Sequence, residues 1–383
     1  MTAAPARVEA PSVAKTVQLG DNRVPVVGPS RRDPRLWLSA VIMTLHVLGQ
    51  AVLEFKVSIV QILVTIAVGA LVEAAVTLHR HRVLAWPASG ILTGSGVAFI
   101  LRASGTEHGD WWSANGIHFF VIAVLLSLLS KYLVRPGGRH LFNPSNVGLV
   151  WALLVIGPAY VFPQYLWWGP SEVAVAVAYG VILLGGFFIV RRVRMVPMVL
   201  GFLVPYVSLV GLFALSGRSF LAIWHDGPVS GLAYWQTVAL SPEVLVFVFF
   251  MMSDPQTAPK SRVGRIVYGA ATALVATGLL YFQPTEFGIK LAILSSLTVS
   301  CAAVPLIEKL ARRMERSVVG ATTVAPRPLG LPATPRRLSS LRNPAVVAAV
   351  IIASAAVLNT AALAGNEQLI LIERGLTGEA NAQ

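Results

Sequence analysis

The sequence predicts an all-α polytopic membrane protein with about ten to eleven transmembrane helices, some of them broken or re-entrant. Three observations carry this. Apolar residues make up 55% of the 383 residues and charged residues only 12%, with a mean hydropathy of +0.71, against about 25% charged residues in a typical soluble domain. Stretches long enough to cross a bilayer, roughly 20 mostly apolar residues, recur along nearly the whole chain. The basic residues, finally, are segregated by loop.

Taken in order, residues 1–36 are rich in Ala, Pro, Val and Arg and hold no apolar run long enough for a signal-peptide core, so they are expected to be a disordered cytoplasmic N-terminus. A membrane domain over 37–315 follows, with hydrophobic segments near 37–55, 57–78, 85–101, 117–134, 147–162, 173–190, 196–216, 235–252, 266–282 and 287–304. The segments at 85–101, 147–162 and 235–252 are short or interrupted by Gly and Pro, and are candidates for half-helices, because broken backbone survives in a membrane only where protein or water satisfies it. Residues 316–344 read as a basic, Pro-rich cytoplasmic linker, 345–364 as an extra C-terminal transmembrane helix, and 365–383 as an extracytoplasmic tail.

With the N-terminus placed inside, all but five of the 30 Lys and Arg residues fall in cytoplasmic segments. The exceptions are Lys56, Arg102, Arg218 and Arg374 outside and Lys290 within a span, while Glu107, Asp110, Glu172, Asp226, Glu243 and Glu286 fall outside. The positive-inside rule then predicts a multi-pass protein of the cell (inner or plasma) membrane, N-terminus cytoplasmic, with eleven crossings. A re-entrant pair would lower that count without moving the loops. The net charge of +13 is thereby explained by topology, with no nucleic-acid partner. The lone Cys301 allows neither an internal disulfide nor a four-cysteine metal or iron–sulfur site. With no GxxxxGK[ST] loop, no GxGxxG after a strand and no histidine pair at haem or metal spacing in the spans, ATP-driven and haem chemistry are excluded and no metal ligands are expected.

Three segments carry more than topology. Asn143-Pro144 starts a helix, Pro suiting the first turn and Asn capping it. Asn143, Pro144 and Asn146, with Lys131, Arg139 and His140 nearby in sequence, form either a well-capped helix entry or an anion-favouring helix end. Asp254-Pro255-Gln256-Thr257 ends another span. Asp254 there either caps the next helix, pairs with Arg262 or Arg265, or holds an ion or a cofactor hydroxyl. Ser89–Gly96, including Thr93 and Gly94, packs small residues where helices approach closely or backbone wraps a flat ligand. Glu73 lies inside a hydrophobic stretch, functional by default for an intramembrane acid or else snorkelling to the nearby cytoplasmic end, and His46 is an interior hydrogen-bonder.

Together these breaks resemble the RnfD/NqrB family, the membrane subunits of flavin-dependent Rnf and sodium-pumping NADH:quinone oxidoreductase complexes. The resemblance rests on Ser89–Ala98 (SGILTGSGVA), Lys131 with Gly137-Gly138, Phe142–Gly148 (FNPSNVG), Phe249–Ala258 (FFMMSDPQTA) with Gly264-Arg265, Tyr268-Gly269 and Val304–Ile307, in matching order over roughly 37–315. It implies an electron-transport component, possible coupling to ion translocation, partner membrane or redox subunits, a quinone, and a flavin oriented by Thr93, Gly94, Lys131, Asn143, Pro144, Asn146, Asp254, Pro255 and Thr257. Family members carry a long outer loop with a Ser-x-Ala-Thr motif whose threonine is esterified to FMN. Here Phe162–Ser171 (FPQYLWWGPS) contains no threonine, and a second family segment, Ser-Gly-Ala-Thr, is replaced by Ser241-Pro242-Glu243-Val244. Covalent FMN is therefore not expected, and any FMN or riboflavin would be held non-covalently. The short-loop form also resembles UnbU-type membrane proteins found with actinobacterial enediyne biosynthesis genes. A transporter or channel for an ion or small metabolite, and a scaffold for partner enzymes, are the competing functions.

Overall fold

The computed structural model describes residues 15–19, 22–30, 33–135, 138–164, 173–222 and 224–320. The expected linker from 321 onward, the helix at 345–364 and the tail at 365–383 lie outside the described residues, as do Gly137 and most of the short outer connection after Gln164.

Strands β1 (Lys15–Leu19) and β2 (Asn22–Val27) precede α1 (Pro34–Ala51) and α2 (Ile59–His81). The turn after α2 holds β3 (Leu84–Ala85), followed by α3 (Ala88–Ile100), β4 (Leu101–Ala103), α4 (Ile117–Leu133) and α5 (Pro144–Trp151). Next come β5 (Val161–Pro163), α6 (Val173–Arg192), α7 (Val196–Leu215), β6 (Ser219–Phe220) and β7 (Val229–Ser230). The broken element α8 (Gly231–Leu240) and α9 (Pro242–Val246), then α10 (Arg262–Leu280) and the long α11 (Glu286–Gly320), complete the described chain. Six helical elements are long and apolar enough to cross a membrane: α2, α6, α7, the α8–α9 unit through Met252, α10 and α11. Three more apolar helices, α3, α4 and the α5 unit through Ile156, are shorter. The protein is an all-α polytopic membrane protein, and the segments whose sequences are interrupted are the short or broken ones.

Helix starts follow local chemistry. Asp33 caps α1 by accepting from Arg35 N–H, with Pro34 in the first turn. Ser58 and Gln61 form a reciprocal capping box on α2. Asn143 caps α5 and Ser241 caps α9, each with Pro next, and Ser261 caps α10.

The stretch expected to be disordered departs from expectation. Residues 15–19 and 22–27 pair as antiparallel strands, Val17 facing Val24, and the second strand pairs in parallel with β3 through Val26 and Leu84. Apolar residues at alternate positions, Val17 and Leu19 in β1 and Val24 and Val26 in β2, supply a strand pattern, but the partner that anchors it lies in the α2–α3 turn, which composition does not reveal.

In the interior, α10 packs between α7 and α11, α2 packs on α3 and α4, and α5 packs on α4 and α11. Glycine makes the α2–α3 contact possible: a Cβ on Gly90 would overlap the Gly69 carbonyl oxygen, and one on Gly94 the Thr65 carbonyl oxygen. Both α5 and α9 pass into π-helical turns, at Ala152–Ile156 and Phe247–Met252. These two units run antiparallel. The start of α5 touches the end of the second π turn, where Asn143 Nδ2 donates to Met251 O (3.0 Å). Gln164, just past β5, lies beside Glu243 near the start of α9.

Candidate functional site

The antiparallel broken units enclose a cavity of about 660 Å³ at the end of the molecule that bears the FNP and DP loops, well inside the size range of sites that take small organic ligands. One part of its wall is polar, with Asp33, Arg35, Glu73, Ser89, Lys131 and Asp254. The other is apolar, with Ile42, Leu45, Phe99, Val246, Phe249 and Phe250. An amphipathic guest, with a charged or hydrogen-bonding end and a flat apolar body, matches this division.

The polar end is built around Lys131, in the last turn of α4. Its ammonium donates to Glu73 Oε1 (2.8 Å) and Ser89 Oγ (2.7 Å), and the pair is largely shielded. Glu73 also accepts the Gly90 backbone N–H, supplying from α2 the side-chain cap that Pro87, at the start of α3, does not give. Glu73 therefore does not snorkel; its carboxylate is fixed between a helix start and an ammonium. Across the mouth, Arg35 binds Asp33 through Nε and Nη2. Burial alone would raise the Asp33 carboxyl, but the Arg35 hydrogen bonds and charge hold it below its ordinary 3.8.

Of the residues singled out in the sequence, the structure brings Thr93, Lys131, Asn143, Pro144, Asp254 and Pro255 to this cavity wall. Thr93 donates its hydroxyl to Ser89 O (2.8 Å), which leaves oxygen lone pairs free to accept. Asn143 is spent structurally: Oδ1 accepts from Asn146 N–H and Nδ2 clamps Met251 O. Asp254 accepts Gln256 N–H (2.9 Å) and lies 3.4 Å from His140 Nε2. Its expected partners are elsewhere engaged or distant, Arg265 donating to Pro259 O and Arg194 O. The other three do not line the cavity. Gly94 serves the α2–α3 approach. Asn146 Nδ2 donates to Leu294 O (2.9 Å) and Thr298 Oγ1 (3.0 Å), tying α5 to α11. Thr257 is buried and turned back onto Asp254 O. Arg139 likewise is no free anion ligand, because its Nη2 gathers the carbonyls of Pro255, Gln256 and Ala258 and fixes the DP loop.

At its apolar end the cavity abuts a second, much smaller one of about 40 Å³; Phe99, Ile100, Val246 and Met251 line both and form a septum between them. Behind the septum lies a cluster that loop assignment concealed. Lys290 Nζ sits 2.7 Å from Glu286 Oε1, 3.0 Å from Glu243 Oε1 and donates to Gln164 O (2.7 Å). Glu243 and Glu286, expected in outer loops, both belong to helices and face Lys290. The only available signal was Lys290, a charge inside an apolar run. Among the described residues no group of His, Cys, Asp and Glu is arranged to hold a metal ion.

Residues 164–316 match the model of the NQR2, RnfD, RnfE family. That stretch is less than half of the 383-residue chain, and over it the chain is similar to this family. It covers α6 to α11 and so includes the DP loop and the Lys290 cluster, whereas the FNP and Ser89–Ala98 segments precede it. No curated protein matches the chain.

Proposed function

We propose that this RnfD/NqrB-type chain carries electrons through a non-covalent flavin, FMN or riboflavin, seated in the 660 Å³ cavity between the FNP and DP loops. The observation that carries the reading is the cavity's wall, which combines charged and hydroxyl-bearing groups (Arg35, Glu73, Ser89, Thr93, Lys131, Asp254) with apolar and aromatic ones (Leu45, Phe99, Phe249, Phe250). A flavin supplies one- and two-electron redox chemistry when bound. The chain's own residues would do the rest. Lys131, oriented by Glu73 and Ser89, presents positive charge to a phosphate or to negative charge gained on reduction. The Thr93 hydroxyl accepts hydrogen bonds, and Phe99, Phe249 and Phe250 exclude water from the ring. Partner redox subunits, a quinone as electron partner and coupling to ion movement belong to the same proposal. So do the cell membrane as location and a cytoplasmic N-terminus, and the UnbU-type resemblance adds an enediyne-type biosynthetic setting.

The test is an absorbance and fluorescence spectrum of the detergent-purified protein before and after acid precipitation. Flavin released to the supernatant, and strongly reduced in Lys131→Ala, is the expected result. Flavin retained in the pellet would mean covalent attachment, and flavin in neither fraction would refute the proposal.

The antiparallel pair of broken helices favours a second reading, a transporter or channel, since such pairs build substrate sites near the membrane midplane. Flux in proteoliposomes that Asp254→Asn abolishes, from protein without flavin, would select it.

A further inference from the structure

We infer that Glu243, Glu286 and Lys290 form a proton-binding site within the membrane domain, loaded with one proton shared by the two carboxyls. The argument begins with charge. Two carboxylates face one ammonium at 3.0 and 2.7 Å, so among the described residues the fully ionised cluster carries one uncompensated negative charge. The charges acting on Glu243 are those of Lys290 and Glu286, and the same pair of acids acts on Lys290. From the neighbouring elements the cluster meets one neutral donor, Trp224 Nε1, which donates to Glu286 Oε2 (3.2 Å); the Tyr179 hydroxyl, within range of the Glu243 charge, donates to Leu240 O instead. Arg102, on β4, stacks over the Phe162 ring and is not among the charges acting on Glu243.

An isolated charge in low-dielectric surroundings is neutralised where a proton can reach it. Glu286 and Lys290 are about 95% buried, and both carboxylate oxygens of Glu243 are buried although part of its side chain is exposed. Two further atoms point to a guest. Among the described residues nothing hydrogen-bonds Glu243 Oε2, or the Nε2 of Gln164, a residue only 3% exposed. Both side chains line the small cavity with Lys290, and its 40 Å³ has room for about one to three waters. A carboxyl that can be protonated, an unpaired amide and space for water make a loading chamber for protons. Lys290 keeps its charge there and holds the two acids at equal reach.

The assignment does not depend on the flavin reading, because the cluster lies across the septum from the large cavity and its guest is a proton. The test is labelling of the full-length protein in nanodiscs with dicyclohexylcarbodiimide, which reacts with protonated carboxyls in apolar surroundings, followed by peptide mapping. Label on Glu243 or Glu286, falling about tenfold per pH unit above the midpoint and unchanged by sodium, is expected. Glu243→Gln should lose most of it. Because that variant can fail to fold, infrared spectra of the unaltered protein across pH supply a second reading: a protonated-carboxyl band should be present, shift in D₂O and vanish at high pH. Absence of both label and band would overturn the proposal. Protection by sodium at constant pH would overturn it too, making the site one for a metal cation.

Discussion

The Glu73–Lys131 pair allows a quantitative test of how the cavity's polar end is held. At 2.8 Å, with an effective dielectric of about 20, the Coulomb attraction is about 6 kcal/mol before desolvation is subtracted. Removing one partner of such a shielded pair strands the other and typically costs about 3–5 kcal/mol. Each charge also faces a helix end of favourable sign, Glu73 at the start of α3 and Lys131 in the last turn of α4, which softens either loss. The two single variants Glu73→Gln and Lys131→Met should therefore each destabilise by about 2–4 kcal/mol. The double variant should fall well short of their sum, with a coupling of about 1–3 kcal/mol. Thermal melts of the detergent-purified proteins, followed by size-exclusion of the surviving fraction, give the comparison. Additive shifts in melting temperature would refute the pairing and leave Lys131 as an independent cation.

Three further outcomes follow from the geometry. Gly90→Val should abolish recovery of monodisperse protein, because the new side chain meets the Gly69 backbone, whereas Gly180→Ala, with open space around it, should purify normally. Asn143→Ala removes both the α5 cap and the clamp on Met251 O; a loss of about 2 kcal/mol is expected, with Asn143→Asp keeping the cap but not the clamp and falling between, read from the same melts. The start of α1 should show a pH effect of defined sign. Since Arg35 holds the Asp33 carboxyl below 3.8 in the folded chain, the cap is intact at neutral pH and is lost as pH falls through the carboxyl's lowered value. Amide exchange in the first turn of α1 should thus differ between Asp33→Ala, which has no capping group, and the unaltered protein near neutrality and converge in strong acid.

Much of the helical scaffold can be read from the sequence because its determinants are local. Asn143-Pro144 announces the start of α5, and the small residues of Ser89–Gly96 announce a close helix contact, both within a few positions. The site itself is legible only in part, for the same reason. Lys131 and Glu73 are each visible as unusual charges, but 58 positions separate them and nothing local pairs them. Asn146 and Thr257 carry the right chemistry for a ligand, yet neighbouring backbone claims it first. Glu243 and Glu286 look like loop acids because each stands next to a break, and only the folding of α9 against α11 turns them inward onto Lys290. The strand pair at 15–19 and 22–27 escapes notice because its anchoring strand is two residues long.

The shortness of α3 has an electrical consequence. Its 13 residues rise only about 20 Å, against roughly 30 Å of hydrocarbon in a bilayer. The large cavity reaches along α3 as far as Phe99 and Ile100, so on that side the insulating layer begins at the waist those residues form with Val246 and Met251. A membrane voltage would fall mainly from that waist onward. An elementary charge crossing the remaining layer would then exchange most of the ~2.3 kcal/mol available per 100 mV over a path shorter than the bilayer.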